Sequence, residues 1–132
     1  MRPDDPVPGS PEDWLRHARS DLALARQQVS PEVLLAALCF HAQQAAEKSL
    51  KAVLLHQGIV FPYTHDLAQL ITLLKQHGVF WPEALDATAD LTAYAVGTRY
   101  PGAYGNITPE EYTQAIEMAV WVVNWAHSLI RN

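Results

Sequence analysis

Apolar positions recur every three or four residues along most of this chain, and no segment alternates convincingly with period two, so the pattern predicts helices and no strands. From Pro11, the residues Trp14, Leu15, Ala18, Leu22 and Ala25 keep helical spacing to about Val29, while Arg16, Arg19, Asp21 and Arg26 lie mostly off that stripe. A second helix runs from Pro31 until Gly58, about 40 Å by helical rise, and is the expected spine of the fold. The sequence FPYTHD from Phe61 to Asp66 breaks the chain before a third helix, Asp66 to His77, closed by Gly78. A fourth helix starts near Pro82 and carries Leu85, Ala89, Ala93 and Val96 on one face; GTRYPGAYGN then supplies glycines and a proline and is read as a loop. The last helix, Pro109 to about Ile130, has Ile116, Ala119, Val120, Val123, Ala126, Leu129 and Ile130 as its apolar set.

Three segments open alike: Ser10-Pro11-Glu12-Asp13, Ser30-Pro31-Glu32 and Thr108-Pro109-Glu110-Glu111. In each, a hydroxyl can cap free N–H groups, proline is tolerated at the first helical position, and acids meet the positive end of the helix dipole. The expected architecture is all-α, an up-down bundle of four to five helices with antiparallel neighbours, formed by residues 10–132 behind a flexible tail of residues 1–9.

Composition narrows the classes of function. A chain of 132 residues suffices for one domain, burying by surface scaling roughly 68% of its unfolded area. Hydrophobic residues at 49% and charged residues at 17% are ordinary for a globular protein. The net charge of -5 gives no general attraction to nucleic acid or an anionic membrane, so any such binding needs a local basic patch. Cys39 is the one cysteine, which excludes an intrachain disulfide and a thiolate metal cluster and suits a cytoplasmic setting. The longest apolar run, Val33 to Phe40, is far shorter than the roughly 20 residues of a membrane span. The first residues carry acids and prolines where a secretory signal would be basic and then apolar.

Candidate chemistry concentrates on the second helix. Leu38, Cys39, Ala42, Ala45, Ala46, Ser49, Ala52 and Val53 occupy about half of its circumference. Opposite them His41, Gln44, Lys48 and Lys51 form a polar stripe, with Gln43 and Glu47 beside it. One reading is a solvated face in which Glu47 and Lys51 make an i, i+4 pair of about 0.2–0.5 kcal/mol and the interleaved apolar residues touch another helix or subunit. The other is a groove where an anionic ligand meets Lys48 as a point charge and a glutamine amide as a hydrogen-bond partner. At the start of the third helix Thr64 or His65 can cap and Asp66 favours the dipole; a functional His65 requires convergence with Arg99 or His41. Arg99-Tyr100-Pro101 offers a charged fork beside a ring, suited to clamping a phosphate while stacking on a base, or else to binding helix-end carbonyls and packing under the loop. The six histidines include no metal-ligand spacing, so no metal is expected. Trp121 and Trp125 share a face more typical of core or dimer contact, and a homodimer is expected.

The run FHAQQAAEKSLKAVL from Phe40 to Leu54, Gly58, THDL from Thr64 to Leu67 and TRYPG from Thr98 to Gly102, in that order ahead of a final helix, resembles the HEPN family from about Pro11 onward. The resemblance implies a dimeric bundle of four long helices plus short ones, with a capacity for nucleotide binding and, in many small members, a minimal nucleotidyltransferase partner in a complex or toxin–antitoxin pair. Other members are metal-independent ribonucleases that use an Arg followed four to six residues later by His. Arg99 stands at the right place, but Tyr-Pro-Gly-Ala-Tyr-Gly-Asn-Ile follows it, and no other arginine has a histidine at that spacing. Imidazole is the side chain suited to act as base and acid on RNA near neutral pH, so its absence there argues against nuclease activity. The expectation is a nucleotide- or RNA-binding module without cofactor or metal, whose ligand residues are His41, Gln44, Lys48, Lys51, Arg99 and Tyr100. The alternatives are a divergent metal-independent ribonuclease with His41 or His65 acting beside Arg99, and a structural dimerisation or protein-docking module.

Overall fold

The computed structural model describes residues 2–27, 30–96 and 106–130, Val96 by its backbone alone. The described residues are helical and carry no strand: α1 (Pro11–Ala25), α2 (Leu35–His56), α3 (Leu67–Gln76), a 3-10 segment (Glu83–Thr92), the single-turn α4 (Ala93–Val96) and α5 (Pro109–Ile130). None is long and apolar enough to cross a membrane.

Capping chemistry sets several of these limits. Ser10 Oγ accepts from the Asp13 N–H at the start of α1. Thr108 and Glu111 form a reciprocal capping box at α5: the Glu111 N–H donates to Thr108 Oγ1, and the Thr108 N–H donates to Glu111 Oε1, each at 3.1 Å. Asp66, rather than Thr64 or His65, caps α3 by accepting from the Ala68 N–H, while Thr64 Oγ1 accepts from the Asp66 N–H. Gly58 and Gly78 stand at φ 71° and 80°, and the N–H groups of Ile59 and Val79 donate back to Leu54 and Leu74, the closure that a left-handed residue permits.

Three expectations about these elements are corrected. Ser30-Pro31-Glu32 is a turn and not a helix start: Ser30 Oγ accepts from the Glu32 N–H, the Ser30 carbonyl from the Val33 N–H, and α2 begins only at Leu35 without a side-chain cap. A hydroxyl that bonds two residues ahead closes a tight turn in place of a helical one. Helix α1 ends at Ala25, short of Val29, which lies outside the described residues along with Gln28. The expected fourth α-helix is largely a 3-10 segment, in which Leu85, Thr88 and Leu91 are buried at steps of three while Ala93 is exposed. A repeat of three stacks one edge of a 3-10 helix against the core, whereas the expected Leu85, Ala89, Ala93 face assumed steps near 3.6.

Helix α2 contacts α1, α3, the 3-10 segment, α4 and α5. Trp14 lies against Lys51 and Asp21 against His41, so α1 and α2 are antiparallel. Tyr112 Oη donates to the Ala25 carbonyl at 2.6 Å, and Arg19 meets His127 further back along α1 and forward along α5, so α1 and α5 are antiparallel too. Helices α2 and α5 therefore run in the same direction. The alanines at 42, 45, 46, 52, 115, 119 and 126, each essentially buried, allow these backbones to approach closely around Leu50, Val53, Leu54 and Val122. On α5 the core side is Ala115, Ala119, Val122, Val123, Ala126 and Ile130; Ile116 and Leu129 pack at its flank. Trp125 meets Trp81 edge to face at 4.9 Å, so it belongs to this chain's own packing, whereas Trp121 is 50% exposed.

Among the described residues, two side-chain oxygens in this interior, Ser49 Oγ and Thr88 Oγ1, have no hydrogen-bond partner. An unpaired buried hydroxyl costs about 1–3 kcal/mol of desolvation, so Thr88→Val, of like shape, is expected to be neutral or stabilising in urea denaturation. A loss of more than about 1 kcal/mol would show that the hydroxyl holds a partner.

Candidate functional site

Between Leu38 and Leu54 almost the whole circumference of α2 is buried, and solvent reaches only Phe40, His41, Gln44 and Lys48. The expected polar stripe is therefore divided. Lys51, with Gln43 and Glu47 beside it, lies inside, and a narrow exposed strip remains. The reason is the number of neighbours: with five elements packed around it, α2 has too little free perimeter to hold every polar group outside.

The buried half is organised by Glu47. Its Oε1 accepts from Gln43 Nε2 at 3.0 Å and from His65 Nδ1 at 2.8 Å, and its Oε2 accepts from Lys51 Nζ at 3.0 Å. Gln44 Nε2 extends the chain by donating to Gln43 Oε1. The Lys51 ammonium, on a side chain only 5% exposed, sits 5.7–5.9 Å from the ring centres of Trp14, Phe61 and Tyr63. The negative faces of the rings offset part of the ammonium's lost hydration. Burial pushes the Glu47 carboxyl upward, but the donors Gln43, His65 and Lys51 outweigh it and hold the group below its ordinary value of 4.5.

The exposed strip has its own acid. Asp21 of α1, itself buried, accepts from His41 Nδ1 at 3.0 Å and from Lys48 Nζ at 2.6 Å. Both partners stay open, His41 at 34% and Lys48 at 26% side-chain exposure. Since a carboxylate only accepts, Nδ1 carries the proton on His41 and on His65, which leaves each Nε2 outside these bonds. Lys48 also lines a cleft of about 280 Å³ with Gly9, Asp13, Trp14 and His17. There the Gly9 N–H and the Arg16 guanidinium hold the Asp13 carboxyl below its usual range. Cys39 is enclosed; burial, helped by the charge of Glu111, pushes its thiol up to about 11 and makes it a poor nucleophile. Among the described residues no three His, Cys, Asp or Glu side chains are grouped to hold a metal ion.

The profile of the HEPN domain family matches residues 11–129. The chain belongs to the HEPN domain family. A solved crystal structure of an archaeal HEPN homologue aligns with a TM-score of 0.69 and 28% sequence identity, over 92% of this chain and 98% of the homologue. A search of functionally curated proteins gave no match.

Among the anticipated ligand residues of this HEPN chain, His41 and Lys48 converge on one carboxylate. Gln44 lies on the same face, Lys51 is withdrawn into the interior, and His65 joins the Glu47 cluster instead of His41. Arg99 and Tyr100 lie outside the described residues. Asp21, expected mostly off the apolar stripe of α1, is instead buried, and it is the functional residue that the sequence pattern misplaced. It stands three positions after Ala18 and four before Ala25, an acid on the buried side of α1, and that was the available signal.

Because the folded-state value of Glu47 lies below its ordinary 4.5, the unfolded chain takes up its proton first on acidification. The stabilisation is present above that value and is lost as pH falls through the lower, folded one. Urea denaturation from about pH 5.5 down to pH 3 is expected to show a falling wild-type stability that flattens in Glu47→Gln, which is also less stable at neutral pH. Parallel curves for the two proteins would contradict this role.

Proposed function

We propose that this HEPN protein is a binding module for a phosphate-bearing ligand, a nucleotide or an RNA end, seated on the strip of His41, Gln44 and Lys48. The observation that carries the reading is the shared carboxylate: Asp21 holds Lys48 and His41 together at a half-open surface, beside a cleft in which Trp14 faces the same space. Asp21 takes one donor of the ammonium, so two remain for phosphate oxygens. The indole of Trp14 supplies an apolar wall for a base, and His17 stands at the same cleft.

Lys51 is removed from the ligand set, because its ammonium is already paired and enclosed by rings. Arg99 and Tyr100 are assigned to the same ligand from the TRYPG sequence of the family pattern. The protein is read as binding without self-sufficient nuclease chemistry, since no histidine follows Arg99 at four to six residues. Its setting in this proposal is a cytoplasmic homodimer working with a minimal nucleotidyltransferase, in a toxin–antitoxin-like arrangement.

A thermal-shift panel of ATP, GTP, ADP, AMP and short RNA tests the reading. A ligand at 100 times its dissociation constant is expected to add about 2.7 kcal/mol and raise the midpoint of the wild type. Lys48→Ala is expected to lose that rise; the ligand-induced shift is the readout, because the variant also leaves Asp21 with one partner fewer. No rise with any of these ligands, or a rise unchanged in Lys48→Ala, would overturn the site.

A further inference from the structure

A second concavity, sharing no described residue with the Lys48 cleft, lies between the 3-10 segment and the first half of α5 and encloses about 330 Å³. On α5 its described lining falls at Glu111, Gln114, Ala115, Glu117, Met118 and Trp121, which share one side of the helix over about 15 Å. Its floor is apolar, with Leu91 and Ala115 buried and Met118 half-buried, and Trp121 stands at its side, exposed to half its area. Among the described residues, the charged groups of the lining are Asp90, Glu111 and Glu117, with no lysine, arginine or histidine beside them. Glu111 is committed in part to capping α5. Asp90 and Glu117 are exposed, and among the described residues neither has an ion-pair partner.

We infer that this cleft docks an arginine-bearing segment of a partner protein, with an aliphatic side chain on the floor and a guanidinium between Trp121 and the Asp90 and Glu117 carboxylates. The argument is charge complementarity joined to shape. A wholly apolar partner would leave carboxylates at the rim without a counter-charge, and an anionic one would be repelled. Arginine fits better than lysine, because its planar fork pairs with a carboxylate while its face stacks on an indole.

Among its described residues, a second copy of this chain offers few unpaired cations for the role. Arg16, Lys48, Lys51 and Lys75 are held in ion pairs of their own, and Arg19 meets His127. That leaves Arg2 and Arg26 among the described basic side chains. On the described residues, the cleft is matched better by a partner richer in cations than by a second copy. The inference stands apart from the phosphate reading and does not depend on it.

The test uses two labelled synthetic peptides of equal length, an amphipathic one with leucines and four arginines and its counterpart with glutamates in place of the arginines, followed by fluorescence anisotropy against the full chain. The arginine peptide is expected to bind and to weaken as salt rises, and the glutamate peptide to show no binding. Asp90→Lys with Glu117→Lys, and separately Trp121→Ala, are expected to lower the affinity about tenfold or more. The charge-matched control Glu12→Lys with Glu83→Lys, placed outside the cleft, and Lys48→Ala are expected to leave it near the wild-type value; circular dichroism melts establish that each variant is folded. Equal loss in the control and cleft variants, or no binding of the arginine peptide at low salt, would overturn the proposal. Sedimentation showing that the cleft substitutions dissolve a dimer, with peptide binding intact, would assign the cleft to a second copy and overturn the proposed occupant.

Discussion

A carboxylate buried in the middle of the central helix is the constraint on which this HEPN fold is arranged. Glu47 cannot stay charged inside the protein unless donors surround it, and the donors come from two places: Gln43 and Lys51 from its own helix, one turn to either side, and His65 from the segment leading into α3. Lys51 passes the constraint on, since its ammonium in turn needs the rings of Trp14 on α1 and of Phe61 and Tyr63 on that same segment. One charge pair therefore fixes α2 against α1 and against the chain that carries the capping residue Asp66. Packing of alanines brings the helices together, and the network selects how they are joined.

This division of labour decides what α2 can offer to a ligand. The inward polar residues are spent on one another, and the outward ones, His41 and Lys48, are held in place by Asp21 but left open. The two carboxylates perform the same physical task in different surroundings. Glu47, enclosed, serves structure; Asp21, near the surface, positions groups that still have hydrogen-bonding capacity. The cleft on α5 is made differently. Among the described residues its lining has acids without bases, and Trp121 beside them is half exposed, the charge pattern opposite to that of the Lys48 strip.

The bundle was legible in the sequence because its helices follow period and punctuation. Helix α5 has the expected ends, and Gly58 and Gly78 stop α2 and α3 as their backbone freedom suggests. The HEPN resemblance, carried by the Phe40–Leu54 run and the motifs after it, agrees with the family match over residues 11–129. Four features escaped for identifiable reasons. Ser30 has the composition of a cap, but bonding geometry decides whether such a hydroxyl opens a helix or closes a turn. The 3-10 segment differs from an α-helix by a fraction of a residue per turn, too little for a short apolar set to reveal. Gln43, Glu47 and Lys51 were assigned outward because polarity is the rule for solvent faces, and that rule fails where polar groups satisfy one another. The partner of Lys48, Asp21, lies 27 positions away, a pairing that only the packed helices create.

The most direct test of the central claim is a double-mutant cycle between Glu47 and His65 by urea denaturation at neutral pH, using Glu47→Gln, His65→Ala and the double variant. If the carboxylate pins the segment before α3 to α2, the two losses overlap and the coupling energy is about 1–2 kcal/mol. Losses that add within about 0.5 kcal/mol would mean that the two residues act independently, and the account of Glu47 as the organising charge would be wrong.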